Sequence, residues 1–291
     1  MKIAINGFGR IGRAILRQLL TTPRGDGIEV ARINDIAPLD MCAYLFKYDS
    51  TFGTFPHDVG TGDEALQVMG RSIPVSHRAD LTEADLSGVD VVLECTGIAR
   101  TSDVAMRGLK AGAKKVLISG PSPAAEVTVV LGANDAVLEG AQIVSNASCT
   151  TNGLAPLAKL VDEIAGIETG HMTTIHCYTN SQPMVDAPRG DFARSRGGAQ
   201  SMVPTTSSAM HLINRVLPHL EGRISGAAVR VPVASVSLVS SDLRANPASL
   251  VIAGPETRMS GDRQVRIFGW YDNEWGFSAR MLDVARRMAA G

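Results

Sequence analysis

The strongest constraint on the fold lies near the N-terminus, where an apolar run leads directly into a glycine-rich turn. Residues 2–6 (KIAIN) have the nearly continuous apolar character of a buried strand. Gly7, Gly9 and Gly12 then form a G-x-G-x-x-G pattern, and residues 13–22 (RAILRQLLTT) carry apolar side chains at helical spacing. This order predicts a strand, a tight turn and a helix, which together begin a βαβ unit.

An acidic residue after the next strand gives this pattern a binding role. Residues 28–35 (IEVARIND) predict a second strand that ends at Asp35, at the offset of about 20 residues expected of a dinucleotide site. Glycines let the backbone approach a pyrophosphate, and the helix N-terminus offers N–H groups to its charge. Asp35 would accept hydrogen bonds from ribose hydroxyls and repel a 2′-phosphate, which favours NAD over NADP, although Arg32 lies nearby. The alternative is that the glycines only tighten a turn and Asp35 only ends a strand.

A second pattern surrounds one of the cysteines. Residues 145–152 (SNASCTTN) place Cys149 where a predicted strand ends and a predicted helix begins, among small hydroxyl residues that suit a helix N-cap. A helix N-terminus and a nearby imidazole both favour the reactive thiolate. His176, in the strand-like segment TTIHCY, is the candidate base, whereas strand alternation predicts that Cys177 faces the opposite way. The alternative is an inert core cysteine and a structural histidine.

The remaining strand patterns predict two domains. Runs at 89–97, 113–119, 127–134 and 142–148, with helical stretches between several of them, are typical of a doubly wound parallel sheet. Alternating runs follow at 170–179, 226–239 and 263–272. We expect an α/β protein with a Rossmann doubly wound parallel sheet plus an α+β catalytic domain with a mainly antiparallel sheet. The expected bounds are 1–148 for the NAD-binding domain, with a helix at 273–291 packing back on it, and 149–272 for the catalytic substrate domain.

Composition excludes several classes of partner. The chain has 291 residues and a formal net charge of -1, so it lacks the basic surface that nucleic acid or an acidic membrane would need. Its first residues do not have the pattern of a secretory leader, and none of its apolar runs reaches the length of a membrane span. The four cysteines lack metal-ligand spacing. We therefore expect no nucleic acid, membrane or metal partner, and a cytoplasmic protein.

Seven motifs, in order along essentially the whole chain, resemble the glyceraldehyde-3-phosphate dehydrogenase family. They are INGFGRIGR, KYDST, GAKKV, SNASCTTN, TTIH-YTN, RVP and WYDNEWGFS. The resemblance implies that Cys149 attacks an aldehyde while His176 accepts the proton, and that a hydride passes to NAD. The resulting thioester is released by inorganic phosphate, or by water as in the related erythrose-4-phosphate dehydrogenases. The resemblance also implies a homo-oligomer.

The same resemblance assigns further site residues. The cofactor positions are Gly7, Arg10, Ile11, Asp35, Arg78, Thr96, Ser119 and Asn273. The positions for the phosphate of the substrate and for the attacking phosphate are Ser148, Thr150, Thr179, Arg196, Ser207 and Arg230. Arg194 is interpreted as a solvated surface charge.

The chain also departs from the family pattern. It is shorter by a few tens of residues between Val239 and Ser240, and six positions differ from the usual residue: Phe52, Gly153, Ser181, Ser207, Ser208 and Phe277. The function best supported is oxidation of a small phosphorylated aldehyde, with glyceraldehyde 3-phosphate first. The alternatives are erythrose 4-phosphate or another phospho- or phosphono-aldehyde released by hydrolysis, and a non-catalytic NAD-binding relic with a regulatory role.

Overall fold

The computed structural model describes residues 1–233 and 240–291, which form two compact units. Unit 1 comprises Met1–Ser148 together with Phe277–Gly291, and unit 2 comprises Cys149–Gly276. The predicted strand at 226–239 runs past Val233 beyond the described residues, and the shortening predicted after Val239 lies outside them as well.

Helices and strands occur in both units. The helices are α1 (Arg10–Thr21), α2 (Leu39–Lys47), α3 (Ser102–Ala105), α4 (Arg107–Lys110), α5 (Cys149–Ala165), α6 (Ala209–Val216), α7 (Ser240–Leu243) and α8 (Trp275–Ala290). The strands of unit 1 are β1 (Lys2–Asn6), β2 (Glu29–Asn34), β3 (Tyr48–Asp49), β4 (Gly53–Thr54), β5 (Val59–Gly62), β6 (Ala65–Val68), β7 (Arg71–Ser76), β8 (Val91–Glu94), β9 (Lys115–Ile118), β10 (Val127–Thr128) and β11 (Ile143–Ser145). Those of unit 2 are β12 (Gly170–Cys177), β13 (Val203–Thr205), β14 (Ile224–Val231), β15 (Val251–Ile252), β16 (Arg258–Ser260), β17 (Gln264–Arg266) and β18 (Gly269–Trp270).

Unit 1 is built on a nine-stranded sheet with the order β10-β11-β9-β8-β1-β2-β7-β6-β5. The strands from β10 to β7 are parallel, which confirms the predicted Rossmann fold, whereas β6 pairs antiparallel with both β7 and β5. β1 lies between β2 and β8. The strands that follow β1 in the chain therefore extend the sheet first on one side of β1, from β2, and later on its other side, from β8. The carboxyl ends of β1 and β8 therefore flank a topological switch point, where sheets of this kind bind their ligands.

The core of unit 1 includes the helix at the end of the chain. The central strands are apolar and buried, as strands covered on both faces must be. On α8, Met281, Leu282 and Ala285 have no exposed surface. Asp283 on the same helix pairs with Arg24 at 2.5 Å, and the Lys115 ammonium donates to the Met288 carbonyl at 2.6 Å.

Unit 2 carries a sheet with the order β12-β14-β13 and two short strand pairs. Three of its four strand pairings in the described residues are antiparallel, as predicted, whereas the longest, β12 with β14, is parallel. The single strand predicted at 263–272 is instead two strands, because the ladder is interrupted at Ile267 and Phe268. In the part of the chain that the structure describes, no helix has both the length and the apolar character needed to cross a membrane.

Candidate active site

The three glycines after β1 have different surroundings. Gly7 has φ +92°, and a Cβ there would lie 2.7 Å from the carbonyl carbon of Cys95. A Cβ on Gly12 would lie 2.2 Å from the Gly7 oxygen, whereas a Cβ on Gly9 would meet no described atom within 4 Å. Gly7 and Gly12 thus allow close packing of the turn, and Gly9 faces open space at the start of α1. This open space fits a pyrophosphate against a helix N-terminus.

Asp35 lies beside this glycine turn. Its carboxylate accepts hydrogen bonds from the Phe8 N–H at 2.5 Å and the Ala37 N–H at 2.8 Å, one on each oxygen. Each carboxylate oxygen can accept a further bond, so the group retains capacity for ribose hydroxyls. The residues present therefore fit an NAD-type cofactor.

Arg10, the first residue of α1, is held by an acidic partner. Its guanidinium lies 2.5 Å from the carboxylate of Asp49, whose side chain is 3% exposed, and 5.5 Å from the ring centroid of Phe52. Burial alone would raise the pKa of Asp49, but hydrogen bonds from Arg10 and from the N–H groups of Phe52 and Thr51 outweigh it and lower that pKa. Asp49 thus keeps Arg10 at the edge of the glycine turn.

Four further predicted cofactor residues belong to unit 1. One lies in α1, and the other three follow parallel strands of the sheet. Ile11 is in the first turn of α1, Thr96 follows β8, and Ser119 follows β9. Arg78 follows β7, and its N–H donates to the Asn34 side chain at 2.9 Å while its guanidinium is largely exposed. All four therefore lie at the carboxyl edge of the sheet.

The sequence interpretation missed Glu94, the last residue of β8. Its carboxylate is buried and accepts from the Asn6 amide at 2.5 Å and from the Thr96 N–H at 3.0 Å. Glu94 lies at the end of an apolar strand pattern, so no local sequence signal marks its role. It ties the loops after β1 and β8 together beneath the glycine turn.

In unit 2, Cys149 and His176 are in contact. Cys149 is the first residue of α5, and its Sγ lies 3.5 Å from His176 Nε2. His176 Nδ1 lies 2.9 Å from the Cys177 carbonyl oxygen, so Nδ1 carries the proton and Nε2 is the acceptor for the thiol. Ala147, buried and with φ +55°, directs the chain from β11 towards α5.

Burial shifts both members of this pair towards their neutral forms. Burial raises the pKa of the Cys149 thiol, although the hydroxyl and N–H of Thr150 and the nearby Arg230 act in the opposite direction. Burial and then Arg230 lower the pKa of His176 to about 4. A neutral imidazole beside a thiol can take its proton as the sulfur attacks, which is the arrangement of an activated nucleophile.

Tyr271 is a further residue of this site that the sequence interpretation did not single out. Its hydroxyl lies 3.0 Å from both Thr150 Oγ1 and Thr174 Oγ1, and its ring packs edge-on against His176 at 5.9 Å between centroids. Burial raises the pKa of Tyr271, so its phenol stays protonated. Its position in the YDNEWG run was the available signal.

Arg230 is the predicted phosphate residue whose charge acts on both Cys149 and His176. Its Nη1 donates to the Cys177 carbonyl at 3.1 Å, and its Nε is buried with no hydrogen-bond partner among the described residues. Thr179 lies just beyond β12, with its Oγ1 3.0 Å from Ser181 Oγ and 3.2 Å from Gln182 Oε1. Both residues carry donors suited to phosphate oxygens.

Two arginines of the following loop are placed differently from the sequence interpretation. Arg196 pairs with Asp186 at 2.8 Å, and both side chains are about two-thirds exposed (65% and 63%). Arg194 instead donates from Nε to Thr205 Oγ1 at 3.0 Å and from Nη2 to Thr206 Oγ1 at 2.6 Å. Both arginines pair with an exposed carboxylate, since Arg194 Nε also lies 3.1 Å from Asp191 Oδ2, and Arg194 in addition contacts the segment that leads into Ser207.

The last predicted cofactor residue, Asn273, contacts Cys177. The Cys177 thiol lies 3.4 Å from Asn273 Oδ1 and 3.5 Å from His176 Nδ1. The sequence interpretation placed Cys177 on the face opposite His176, and the structure has both side chains buried where β12 ends. Within the described residues, no cluster of three or more histidine, cysteine, aspartate or glutamate side chains could hold a metal ion.

Comparison with known proteins identifies the family on both sides of Cys149. Residues 1–102 match the family model "Glyceraldehyde 3-phosphate dehydrogenase, NAD binding domain", and residues 148–239 match the model of the C-terminal domain. The chain is 44% identical to glyceraldehyde-3-phosphate dehydrogenase of Pseudomonas aeruginosa over 331 positions, covering 100% of this chain and 98% of the relative. It is 41% identical to the Xanthobacter flavus enzyme of that name (99% and 98% covered) and 38% identical to glyceraldehyde-3-phosphate dehydrogenase 2 of Bacillus subtilis (100% and 97% covered).

These alignments also confirm the shortening. The alignment with the Pseudomonas relative runs over 331 positions while this chain has 291 residues, so at least 40 positions have no counterpart here. The relatives are nevertheless covered almost completely, and both domain models match. The chain therefore belongs to the glyceraldehyde-3-phosphate dehydrogenase family, and it is an NAD-dependent dehydrogenase.

Proposed function

We propose that this enzyme oxidises glyceraldehyde 3-phosphate through a covalent bond to Cys149. The observation that carries the proposal is the 3.5 Å approach of the Cys149 thiol to the unprotonated Nε2 of His176 at the N-terminus of α5. The names of the relatives support the choice of aldehyde.

The two units divide the work in this proposal. Unit 1 holds NAD through the glycine turn and Asp35, with Arg10, Ile11, Arg78, Thr96 and Ser119 around it, and Asn273 of unit 2 orients the nicotinamide. NAD, when bound, supplies the hydride acceptor for the oxidation. Unit 2 supplies the nucleophile, the base and the phosphate-binding side chains.

The covalent step follows from the geometry of the pair. Cys149 Sγ attacks the aldehyde carbon and forms a C–S bond as the C=O π bond breaks. The thiol proton passes to His176 Nε2 and from there to the carbonyl oxygen, which becomes the hydroxyl of a thiohemiacetal. In the oxidation of this carbon His176 Nε2 takes the hydroxyl proton and the carbon gives up a hydride, which leaves a thioester on Cys149. An oxygen of inorganic phosphate then attacks the thioester, and the C–S bond breaks to return the thiolate.

Two sets of donors would bind the phosphate groups. Arg230 and Thr179 suit the phosphate of the substrate. Arg230 lies near the Cys149–His176 pair, and Thr179 lies just beyond the end of β12. For the attacking phosphate we replace Arg196 by Arg194, because Arg194 contacts the loop of Thr205 and Thr206. Ser148, Thr150 and Ser207 complete the proposed donors.

A second candidate, hydrolysis of the thioester, is favoured by one observation. Ser208 and Ser207 form the turn that begins α6, where the Ser207 hydroxyl already accepts the Ala209 N–H at 3.1 Å. The Ser208 side chain would narrow the space through which phosphate reaches the backbone N–H groups of this turn. Water is smaller than phosphate, so it would still reach the thioester. Erythrose 4-phosphate is the aldehyde to compare.

The deciding experiment measures NADH formation by the purified protein with each aldehyde, with and without inorganic phosphate. Phosphate-dependent turnover of glyceraldehyde 3-phosphate supports the first proposal, and phosphate-independent turnover supports hydrolysis. Cys149→Ser is expected to remove turnover, by a factor above roughly 1000. NADH formation retained by that variant would refute a covalent mechanism.

Alkylation by iodoacetamide distinguishes an active enzyme from the alternative of a non-catalytic NAD-binding protein. In the wild-type protein we expect Cys149 to be alkylated far faster than Cys42, Cys95 and Cys177. Equal rates for all four thiols would favour the non-catalytic alternative. The expected homo-oligomer and cytoplasmic location stay predictions, and sedimentation of the purified protein tests the first.

A further inference from the structure

Cys177 connects three groups that the proposed reaction needs. Its carbonyl oxygen accepts from His176 Nδ1 at 2.9 Å and from Arg230 Nη1 at 3.1 Å. Its thiol lies 3.4 Å from Asn273 Oδ1. The side chain is 1% exposed, so these contacts are shielded from water.

Among the residues that the structure describes, the thiol hydrogen of Cys177 has one suitable acceptor. His176 Nδ1 donates its hydrogen to the Cys177 carbonyl, so it does not accept from the thiol. The side-chain oxygen of Asn273 is then the acceptor within reach of Sγ. Burial raises the pKa of Cys177 to about 12, which keeps the thiol hydrogen in place at neutral pH.

This hydrogen bond fixes the orientation of an amide. An Asn side chain has an acceptor oxygen and a donor NH₂ that exchange places when the amide turns over. With the thiol donating to Oδ1, both Nδ2 hydrogens of Asn273 remain available to an acceptor such as a carboxamide oxygen. Turned over, the amide would offer its oxygen instead, and a carboxamide oxygen would be repelled.

We propose that Cys177 is a positioning residue whose thiol holds the Asn273 amide in the orientation that recognises the nicotinamide carboxamide. The inference rests on the proposed function, in which Asn273 orients the nicotinamide. Cys177 itself forms no bond to the substrate. Its role is separate from that of its carbonyl group, which every residue at this position would retain.

The test compares Cys177→Ala with Cys177→Ser. The alanine variant loses the donor and is expected to raise the KM for NAD about five- to ten-fold, as the loss of one hydrogen bond predicts. The serine variant restores a donor and is expected to return this KM to within about two-fold of wild type. The KM for the aldehyde and the pH profile stay unchanged in both, because Arg230 and His176 bind the retained carbonyl.

A stereochemical measurement separates positioning from general damage. With aldehyde deuterated at C1, the alanine variant is expected to place a larger fraction of deuterium on the wrong face of the nicotinamide, because a loosely held carboxamide allows the ring to turn over. Cys42→Ala is the control, since it removes a buried thiol of unit 1 whose Sγ lies 3.7 Å from the Ala37 carbonyl oxygen. It should leave both the KM and the stereochemistry unchanged.

The outcomes distinguish the two proposals. An alanine variant with wild-type KM for NAD and wild-type stereochemistry, or a serine variant as defective as alanine, would overturn the role of Cys177. If the wild-type protein makes no NADH from either aldehyde, the proposed function fails. The Kd for NAD, measured calorimetrically for wild type and both variants, then still tests Cys177, because it requires no turnover.

Discussion

His176 is a histidine whose charge would be costly in the folded protein. It is 5% exposed and lies near Arg230, and these two effects lower its pKa to about 4 from 6.5. The unfolded chain therefore binds a proton between pH 6.5 and 4 that the folded chain does not. Stability contributed by the neutral ring is present above pH 6.5 and is lost as the pH falls towards 4.

This loss can be measured as the free energy of unfolding. We expect the wild-type protein to lose about 3 kcal/mol through His176 between pH 6.5 and pH 4. His176→Gln should unfold with a flatter pH dependence in urea titrations at pH 7, 5.5 and 4.5. His211→Gln, on an exposed ring, is the control and should retain the wild-type slope. Identical slopes for all three proteins would show that His176 is not responsible.

Arg194 and Arg196 are expected to contribute differently to the binding of inorganic phosphate. Arg194→Ala is expected to raise the KM for inorganic phosphate at least about ten-fold, because its guanidinium binds the loop of Thr205 and Thr206. Arg196→Ala should change it less than about two-fold, because an exposed pair contributes little. Steady-state NADH formation at varied phosphate measures both, and the reverse ranking would restore Arg196 to the site.

Residue patterns predicted some of the site and missed other parts for physical reasons. The cap-like run around Cys149 and the strand around His176 predicted that these two residues pair. Cys149 Sγ does lie close to His176 Nε2, and the catalytic role of the pair stays a prediction. Tyr271, Cys177 and Glu94 were missed because their importance lies in contacts between distant segments. Arg194 was missed because a charged side chain in a loop carries no sign of its partner.

At the level of elements, two glycines of the same turn are expected to have different roles, Gly7 in stability and Gly9 in NAD binding. Gly7→Ala is expected to destabilise the protein by at least about 2 kcal/mol, because Gly7 has φ +92° and a Cβ would strike the backbone at Cys95. Gly9 has φ −74° and open space, so Gly9→Ala should cost less than about 1 kcal/mol while raising the Kd for NAD more than about ten-fold. Urea unfolding and NAD calorimetry measure the two effects, and equal NAD affinity for Gly9→Ala and wild type would contradict a pyrophosphate at this turn.

The elements show where local patterns suffice. β1, α1 and β2 were predicted within a few residues, because buried strands and amphipathic helices carry their own periodicity. The strand predicted at 127–134 is only Val127–Thr128, and the antiparallel β5–β7 segment was not predicted. Pairing partners and strand ends depend on neighbours far away in the chain, so a local pattern does not determine them.

At the scale of the whole molecule, unit 1 depends on both ends of the chain. Leu282→Ala on α8 is expected to destabilise unit 1 by about 2–5 kcal/mol, because Leu282 has no exposed surface. Arg287→Ala, on the same helix but with a side chain 54% exposed in its pair with Asp135, should cost less than about 1 kcal/mol. Equal unfolding midpoints for the two variants would mean that α8 is not part of the core.

Because α8 belongs to unit 1, the order of synthesis on the ribosome differs from the order in which the units can be completed. Unit 2 is one continuous stretch and has all its residues once Gly276 has left the exit tunnel. Unit 1 begins first but must wait for Phe277–Gly291 to close its core. The apolar surface of residues 1–148 that α8 covers in the folded protein therefore stays uncovered until Phe277–Gly291 are made, and we expect this surface to bind chaperones during translation.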